Sequence, residues 1–220
     1  MTEAWHSRLS ALVKYQGKLA ARAATVDDFV PDTIAGADQA FIGDEVISCI
    51  VMLDGDTLQQ LGCASSQVSA VLPYIPTFLS FREGPAIISA FGKLGRRPGV
   101  LFVDGAGINH PRRAGLATCV GVELDVPTIG ITKKILCGEG KQPEKEGDAE
   151  PLIYGGMQVG WLLASKKGCR PIVVAPGHRV SLESSLLLTR RCLRGHRLPE
   201  PLRLAHECAG RIKKSVSASL

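Results

Sequence analysis

Between Thr33 and Ser65 three apolar segments follow one another with almost no chain to spare: TIAGADQAF, EVISCIVML and DTLQQLGCAS. Their connections, Ile42-Gly43-Asp44 and Leu53-Asp54-Gly55, are too short for a helix and carry the Gly and Asp that tight turns need. Successive strands joined this closely can only pair antiparallel. A three-strand meander is therefore predicted to open a sheet.

The rest of the chain alternates. After Pro73-Tyr74-Ile75-Pro76, where two prolines hold an extended turn, LSFREGPAIISAFGKL has helical spacing up to Gly95. VLFVDGAG reads as a buried strand, RRAGLATCVGVELD as a helix, PTIGITK as a short strand, LIYGGMQVGWLLAS as a longer one and PIVVAPG as another. SLESSLLLTRRCLRG and EPLRLAHECAGRIKK close the chain as helices, and Trp5, Leu9, Leu12, Val13 and Leu19 mark a leading helix within residues 1–24. GEGKQPEKEGDAEP, residues 138–151, is an exposed loop by its Gly, Pro and charge content. A meander followed by alternating helices and strands implies an α/β fold, a ribonuclease H-like mixed β-sheet flanked by helices, in a single domain over residues 1–220. The balance of 45% hydrophobic against 5% aromatic residues suits Val/Ile/Leu-rich strands better than a β-sandwich.

A net charge of +5 is compatible with a polyanionic partner, and basic residues cluster at 92–99, at His110 to Arg113 and at Thr189 to Arg197. Each cluster also fits an ordinary solvated face. The seven cysteines form no C-x-x-C pair and are odd in number, so reduced core thiols are expected rather than a disulfide framework or a zinc site. The N-terminus lacks the apolar core of a signal peptide and no run is long enough to span a membrane, which leads to an expectation of a cytoplasmic protein, by default a monomer.

Three acidic residues are candidates for shared chemistry: Asp38 in the first strand, Glu83 at the head of a helix and Asp104 at the end of VLFVD. Carboxylates that converge repel one another unless a divalent cation neutralises them, and such a cation can activate water and orient a phosphate. Plainer readings stand beside this one. Asp104-Gly105 is a common turn pair, and Ser80 followed by Glu83 is a capping-box pattern. Asp38, in an apolar strand, needs a partner or an ion. His6 and His196 lie in polar surroundings, whereas His206 sits in a helix that packs on the body, as a satisfied core histidine or as a base or metal partner. Gly105-Ala106-Gly107 lacks the third glycine of a dinucleotide fingerprint, which excludes that fold. PGHRVSLESS places a helix start, with Ser181 as its cap, where a phosphate could bind.

From about Ile34 to Cys208, the segments around these carboxylates resemble those of the endonuclease V family. The family forms aGxD, PYxPGxLxFREGP, DGxGxAHPRRxGxA, PTIGVAKxxL, PGHRVxxxSS and RLPEPxRLAHE stand here, in the same order, as IAGAD, PYIPTFLSFREGP, DGAGINHPRRAGLA, PTIGITKKIL, PGHRVSLESS and RLPEPLRLAHE. The resemblance implies a DNA repair endonuclease that hydrolyses the second phosphodiester 3′ to deoxyinosine and leaves a 3′ hydroxyl and a 5′ phosphate. It implies magnesium, with manganese as substitute, bound directly by Asp38 and Asp104 and through water by Glu83 and His206, with Lys133 at the scissile phosphate. Tyr74 would be the wedge beside an extruded base, with Pro76, Gly105, Gly107, His110, Arg112 and Arg113 also on the substrate side. Thr77 replaces the family's glycine, and Ala106 and Asn109 also depart from its pattern, which bears on the shape of the base pocket. An inosine-specific ribonuclease and a non-catalytic nucleic-acid-binding protein remain open as alternatives.

Overall fold

The structure is a computed structural model that describes residues 3–218. Helix α1 (Glu3–Arg22) precedes the meander β1 (Thr33–Ile42), β2 (Glu45–Asp54) and β3 (Gln60–Ser69). Then come α2 (Leu79–Phe91), β4 (Val100–Asp104), α3 (Leu116–Leu124), β5 (Thr128–Thr132), β6 (Ala149–Tyr154), β7 (Met157–Leu163), β8 (Ile172–His178), α4 (Leu182–Arg191) and α5 (Glu200–Ser217). All eight strands join one sheet in the order β3-β2-β1-β4-β5-β8-β7-β6. The pairs β1/β4 and β4/β5 are parallel and the others antiparallel, so the sheet is mixed, as the sequence pattern implies.

Strand alternation sends residues to two covered faces. Ile34, Phe102, Ile129 and Ile131 pack against Leu202 and Ala205 of α5 and Leu186 of α4. Ala37, Leu101 and Val103 pack against Ile87 of α2 and Val120 of α3 on the other face. The docking of α5 depends on Gly36 in β1: a Cβ there would stand 2.2 Å from the backbone carbonyl of Pro201. With no side chain in the way, the first turn of α5 lies directly on β1.

Three expectations need correction. LIYGGMQVGWLLAS is a hairpin, β6 and β7, because Gly155 and Gly156 take φ of +57° and +75°, the geometry of a two-residue turn between antiparallel strands. Helix α2 stops at Phe91 instead of running to Gly95. The cysteines are not all reduced core thiols: Cys49 and Cys208 are joined by a disulfide, while Cys63 and Cys169 are exposed. Cys49 pairs across the ladder with Asp38, and its side chain joins the cluster that α5 covers, which brings together two thiols that lie 159 residues apart in sequence. The 138–151 loop is pinned at both ends, by a bridge between Glu139 and Ile153 and by the first residues of β6.

Candidate active site

Parallel β1 and β4 are in register with Ala37 opposite Val103, so Asp38 and Asp104 follow side by side where the two strands' pairing ends. The carboxyl ends of parallel strands are where open α/β sheets gather their ligands. Asp38 is 5% exposed and Asp104 half-buried. Burial, and then the charge of Asp104, push the Asp38 carboxyl above its ordinary range, against the opposing pull of Gln39 N–H and His206.

Glu83 reaches the same place from α2. The helix begins at Leu79, and Phe78 at its cap position makes no side-chain capping bond, so the Ser80/Glu83 capping box does not form. Glu83 lies beyond the first turn, buried at 6% exposure, and its pKa is pushed up to about 8 by that burial and by Asp104 and Asp38. The charge of Asp104 thus favours the protonated form of both Asp38 and Glu83, and Asp38 favours that of Glu83, as happens where carboxylates share one site.

Two nitrogen groups meet them. Lys133, one residue past β5, places Nζ 2.9 Å from Asp104 Oδ2. His206 on α5 places Nδ1 2.5 Å from Asp38 Oδ2, with its imidazole 63% exposed, so it is an exposed partner of a buried carboxylate and not a core histidine. Gly36 and Asp38 lie two residues apart on the face of β1 that α5 covers, and the contact of Pro201 at Gly36 sets the position of His206.

Among the described residues no three His, Cys, Asp or Glu stand close enough to form a ready-made metal cage. The electrostatic coupling of the trio still fits a hard divalent cation, because its donors are all carboxylate oxygens whose joint ionisation requires positive charge among them. Carboxylate rotamers adjust on metal binding more easily than the strands and helix that carry them.

Beside Asp104 and Lys133 opens a cavity of about 400 Å³, walled by Tyr74, Pro76, Gly105, His110 and Leu136 among others. Tyr74 is 68% exposed at its rim. Gly107 lies behind the wall, its N–H donating to Asn109 Oδ1 at 2.8 Å, while Ala106 faces the cavity. Asn109 therefore braces the turn and leaves the cavity surface to its neighbours. His110 is buried and its pKa falls to about 4, chiefly through desolvation; the neutral ring donates from Nε2 to Thr77 O and accepts N–H of Arg112 at Nδ1.

Thr77, where the family carries glycine, takes φ of +70°, a left-handed conformation that costs a threonine about 1–2 kcal/mol. Arg112 and Arg113 are not part of the cavity wall. Arg112 spends its guanidinium on Gln16 and Thr77 and lies over the Phe78 ring, and Arg113 reaches Met157 of β7. Other basic residues act likewise as loop clamps: Arg97 donates to the carbonyls of Leu124 and Asp125, Arg190 to Gly147 O, and Arg197 to Lys133 O and Arg170 O.

The start of α4 is occupied by an anion of the chain itself. Asp27 accepts from Ser181 N–H, Ser181 Oγ and Ser184 Oγ, while Ser181 caps the helix through Ser184 N–H. Burial pushes the Asp27 carboxyl up, but these bonds outweigh it and hold it below its ordinary value. His6 and His196 are exposed, as their polar surroundings in the sequence imply. Sequence reasoning missed Gln16 altogether, since one polar residue on a helix face looks like a surface position.

The family model of Endonuclease V matches residues 15–207. The endonuclease V of Xanthomonas oryzae pv. oryzae is 42% identical over 212 residues, which cover 94% of this chain and 90% of that protein. The crystal structure of endonuclease V from Streptomyces avermitilis aligns with a TM-score of 0.89 at 32% identity over 94% of each chain. Ciona intestinalis endonuclease V, crystallised in complex with a 24mer DNA containing an inosine followed by a ribo-adenosine, shares the fold with a TM-score of 0.83 at 22% identity, over 96% of this chain and 99% of that one. By sequence over most of its length and by fold throughout, the chain belongs to the endonuclease V family and is an endonuclease.

Proposed function

We propose that this endonuclease cuts DNA strands carrying deoxyinosine, at the second phosphodiester on the 3′ side of the lesion, as a cytoplasmic monomer. The observation that carries the reading is the meeting of Asp38, Glu83 and Asp104 at the ends of parallel strands, with Lys133 on Asp104 and a base-sized cavity alongside. Inosine is present in the DNA bound by the Ciona relative.

Endonuclease V nucleases are metal-dependent; here Asp38 and Asp104 would hold magnesium, or manganese in its place, directly, and Glu83 and His206 would hold it through water. When bound, the cation supplies Lewis acidity toward the phosphate and neutralises charge on the departing oxygen. The protein's own groups do the rest. Lys133 pairs with a phosphate oxygen as well as with Asp104, which places the scissile bond over the carboxylates. With Nδ1–H donating to Asp38, His206 presents Nε2 as an acceptor that can take a proton from water as it attacks phosphorus. The bond from phosphorus to the 3′ oxygen breaks, leaving a 3′ hydroxyl and a 5′ phosphate. Tyr74 fills the gap left by the extruded base, since base–aromatic stacking contributes about 1–3 kcal/mol.

The test is cleavage of matched DNA and RNA strands, each with one inosine, with magnesium or chelator and with Asp38→Ala as control. Magnesium-dependent nicking of the DNA, lost in Asp38→Ala with binding retained, is expected. Cleavage of RNA alone would move the activity to inosine-containing RNA, and binding without cleavage would leave a binding module.

A further inference from the structure

We propose that Gln16 of α1 is a positioning residue for base recognition, holding two walls of the cavity at a fixed separation. The inference rests on the reading that this cavity receives the extruded base. Gln16 is completely buried, and each end of its amide is used. Nε2 donates to Thr77 O at 2.8 Å and lies 3.4 Å from Ala114 O, while Oε1 accepts Arg112 Nε at 2.6 Å. Thr77 and Ala114 both line the cavity, one from the Tyr74 loop and the other from the segment before α3. One side chain on a helix outside the sheet therefore ties both sides together across 61 and 98 residues of chain.

The tie explains how Thr77 keeps a left-handed backbone that its side chain disfavours. Strained residues persist where their surroundings over-determine them. The Thr77 carbonyl receives Gln16, His110 and Arg112, its hydroxyl receives Arg112, and Arg112 is stacked on the adjoining Phe78. Tyr74 stands three residues earlier, between Pro73 and Pro76, in a segment too stiff to take up displacement at Thr77 by bending. A leucine at position 16 would satisfy a buried helix face, whereas the amide there is bonded at both ends to groups on the two sides of the cavity.

Gln16→Leu removes the tie with little change in volume, and Gln16→Glu keeps the shape and the Arg112 partner while losing the donor to Thr77. Both are assayed on strands with inosine or adenine at one position and 2-aminopurine beside it, as folded proteins verified by thermal melts. Loss of a buried hydrogen bond is expected to raise the half-saturating enzyme concentration for the inosine strand about tenfold. The rate at saturation should change less than about threefold, the inosine-over-adenine preference should fall, and the 2-aminopurine fluorescence rise that reports unstacking should shrink. Asp38→Ala should do the reverse, keeping the fluorescence rise and losing cleavage. Folded Gln16→Glu with wild-type half-saturation and fluorescence overturns the inference, even if Gln16→Leu does not fold. Wild-type protein that cuts inosine and adenine strands alike overturns the base-recognition reading and this inference with it.

Discussion

In protein stripped of divalent ions, Glu83→Gln is expected to stabilise the fold by an amount that grows with pH. The carboxyl of Glu83 titrates near 8 in the folded chain, against an ordinary value of 4.5, because it is buried beside Asp104 and Asp38. A raised folded pKa means that the fold favours the neutral acid: the contribution to stability is complete below 4.5 and is lost as pH rises through 8. At about 1.36 kcal/mol per pH unit, and allowing for partial ionisation at each end, the wild type loses roughly 3 kcal/mol between about pH 5 and pH 8 from this group. Glutamine has no proton to lose, so the variant escapes that loss. Urea unfolding in chelator across this range reads the difference directly. His110, whose pKa falls to about 4, changes stability in the opposite sense at the acid end, but it is common to both proteins and drops out of the comparison. Magnesium added at the alkaline end should restore the wild type more than the variant, and the variant should be impaired in cleavage. Stability curves that run parallel from pH 5 to 8 would refute the idea that three carboxylates share one site.

The Cys49–Cys208 disulfide closes a loop of 159 residues, and replacing both cysteines with serine is expected to cost about 2–5 kcal/mol in non-reducing urea unfolding, with no further loss when reductant is added to the variant. A reducing cytoplasm keeps such a pair as thiols, so alkylation of protein taken directly from cells, read by mass, reports which state operates there. Gly36→Ala should force α5 off β1, because the new methyl meets the Pro201 backbone; about 3 kcal/mol of stability and most cleavage are expected to go together. Asp27→Ala removes three hydrogen bonds at the start of α4 and should cost about 1–2 kcal/mol by thermal melt while leaving cleavage unchanged, since that helix end touches nothing in the active site.

What the sequence disclosed divides by distance along the chain. The meander is legible because connections of a few residues leave antiparallel pairing as the only option, and β4 because VLFVD is uniformly apolar up to its last residue. The β6–β7 hairpin is missed for a local reason too: the run reads as one apolar strand if the turn signal of Gly155-Gly156 is passed over, and the positive φ of both residues is what reverses the chain there. The disulfide and the Gln16 tie are invisible for the opposite reason. Cys49 and Cys208, or Gln16, Thr77 and Ala114, become neighbours only once helices have docked on the sheet, and no spacing encodes that.

The candidate site inherits the same division, which bears on how it can fail. Asp38 and Asp104 come from adjacent strands in register and exist as a pair as soon as β1 and β4 form. Glu83 arrives with α2 on one face of the sheet and His206 with α5 on the other. Loosening α5, through Gly36 or the disulfide, should therefore take His206 from Asp38 while leaving the acidic trio able to bind a cation. Loosening α2 should weaken cation binding while the His206–Asp38 contact survives. Magnesium titrations of Gly36→Ala and of a destabilised α2 variant such as Ile87→Ala separate the two, because Ile87 is fully buried on the α2 face and far from the α5 contact. Equal loss of magnesium affinity in both would mean that the two helical layers dock as one cooperative unit, and that the site is assembled all at once rather than face by face.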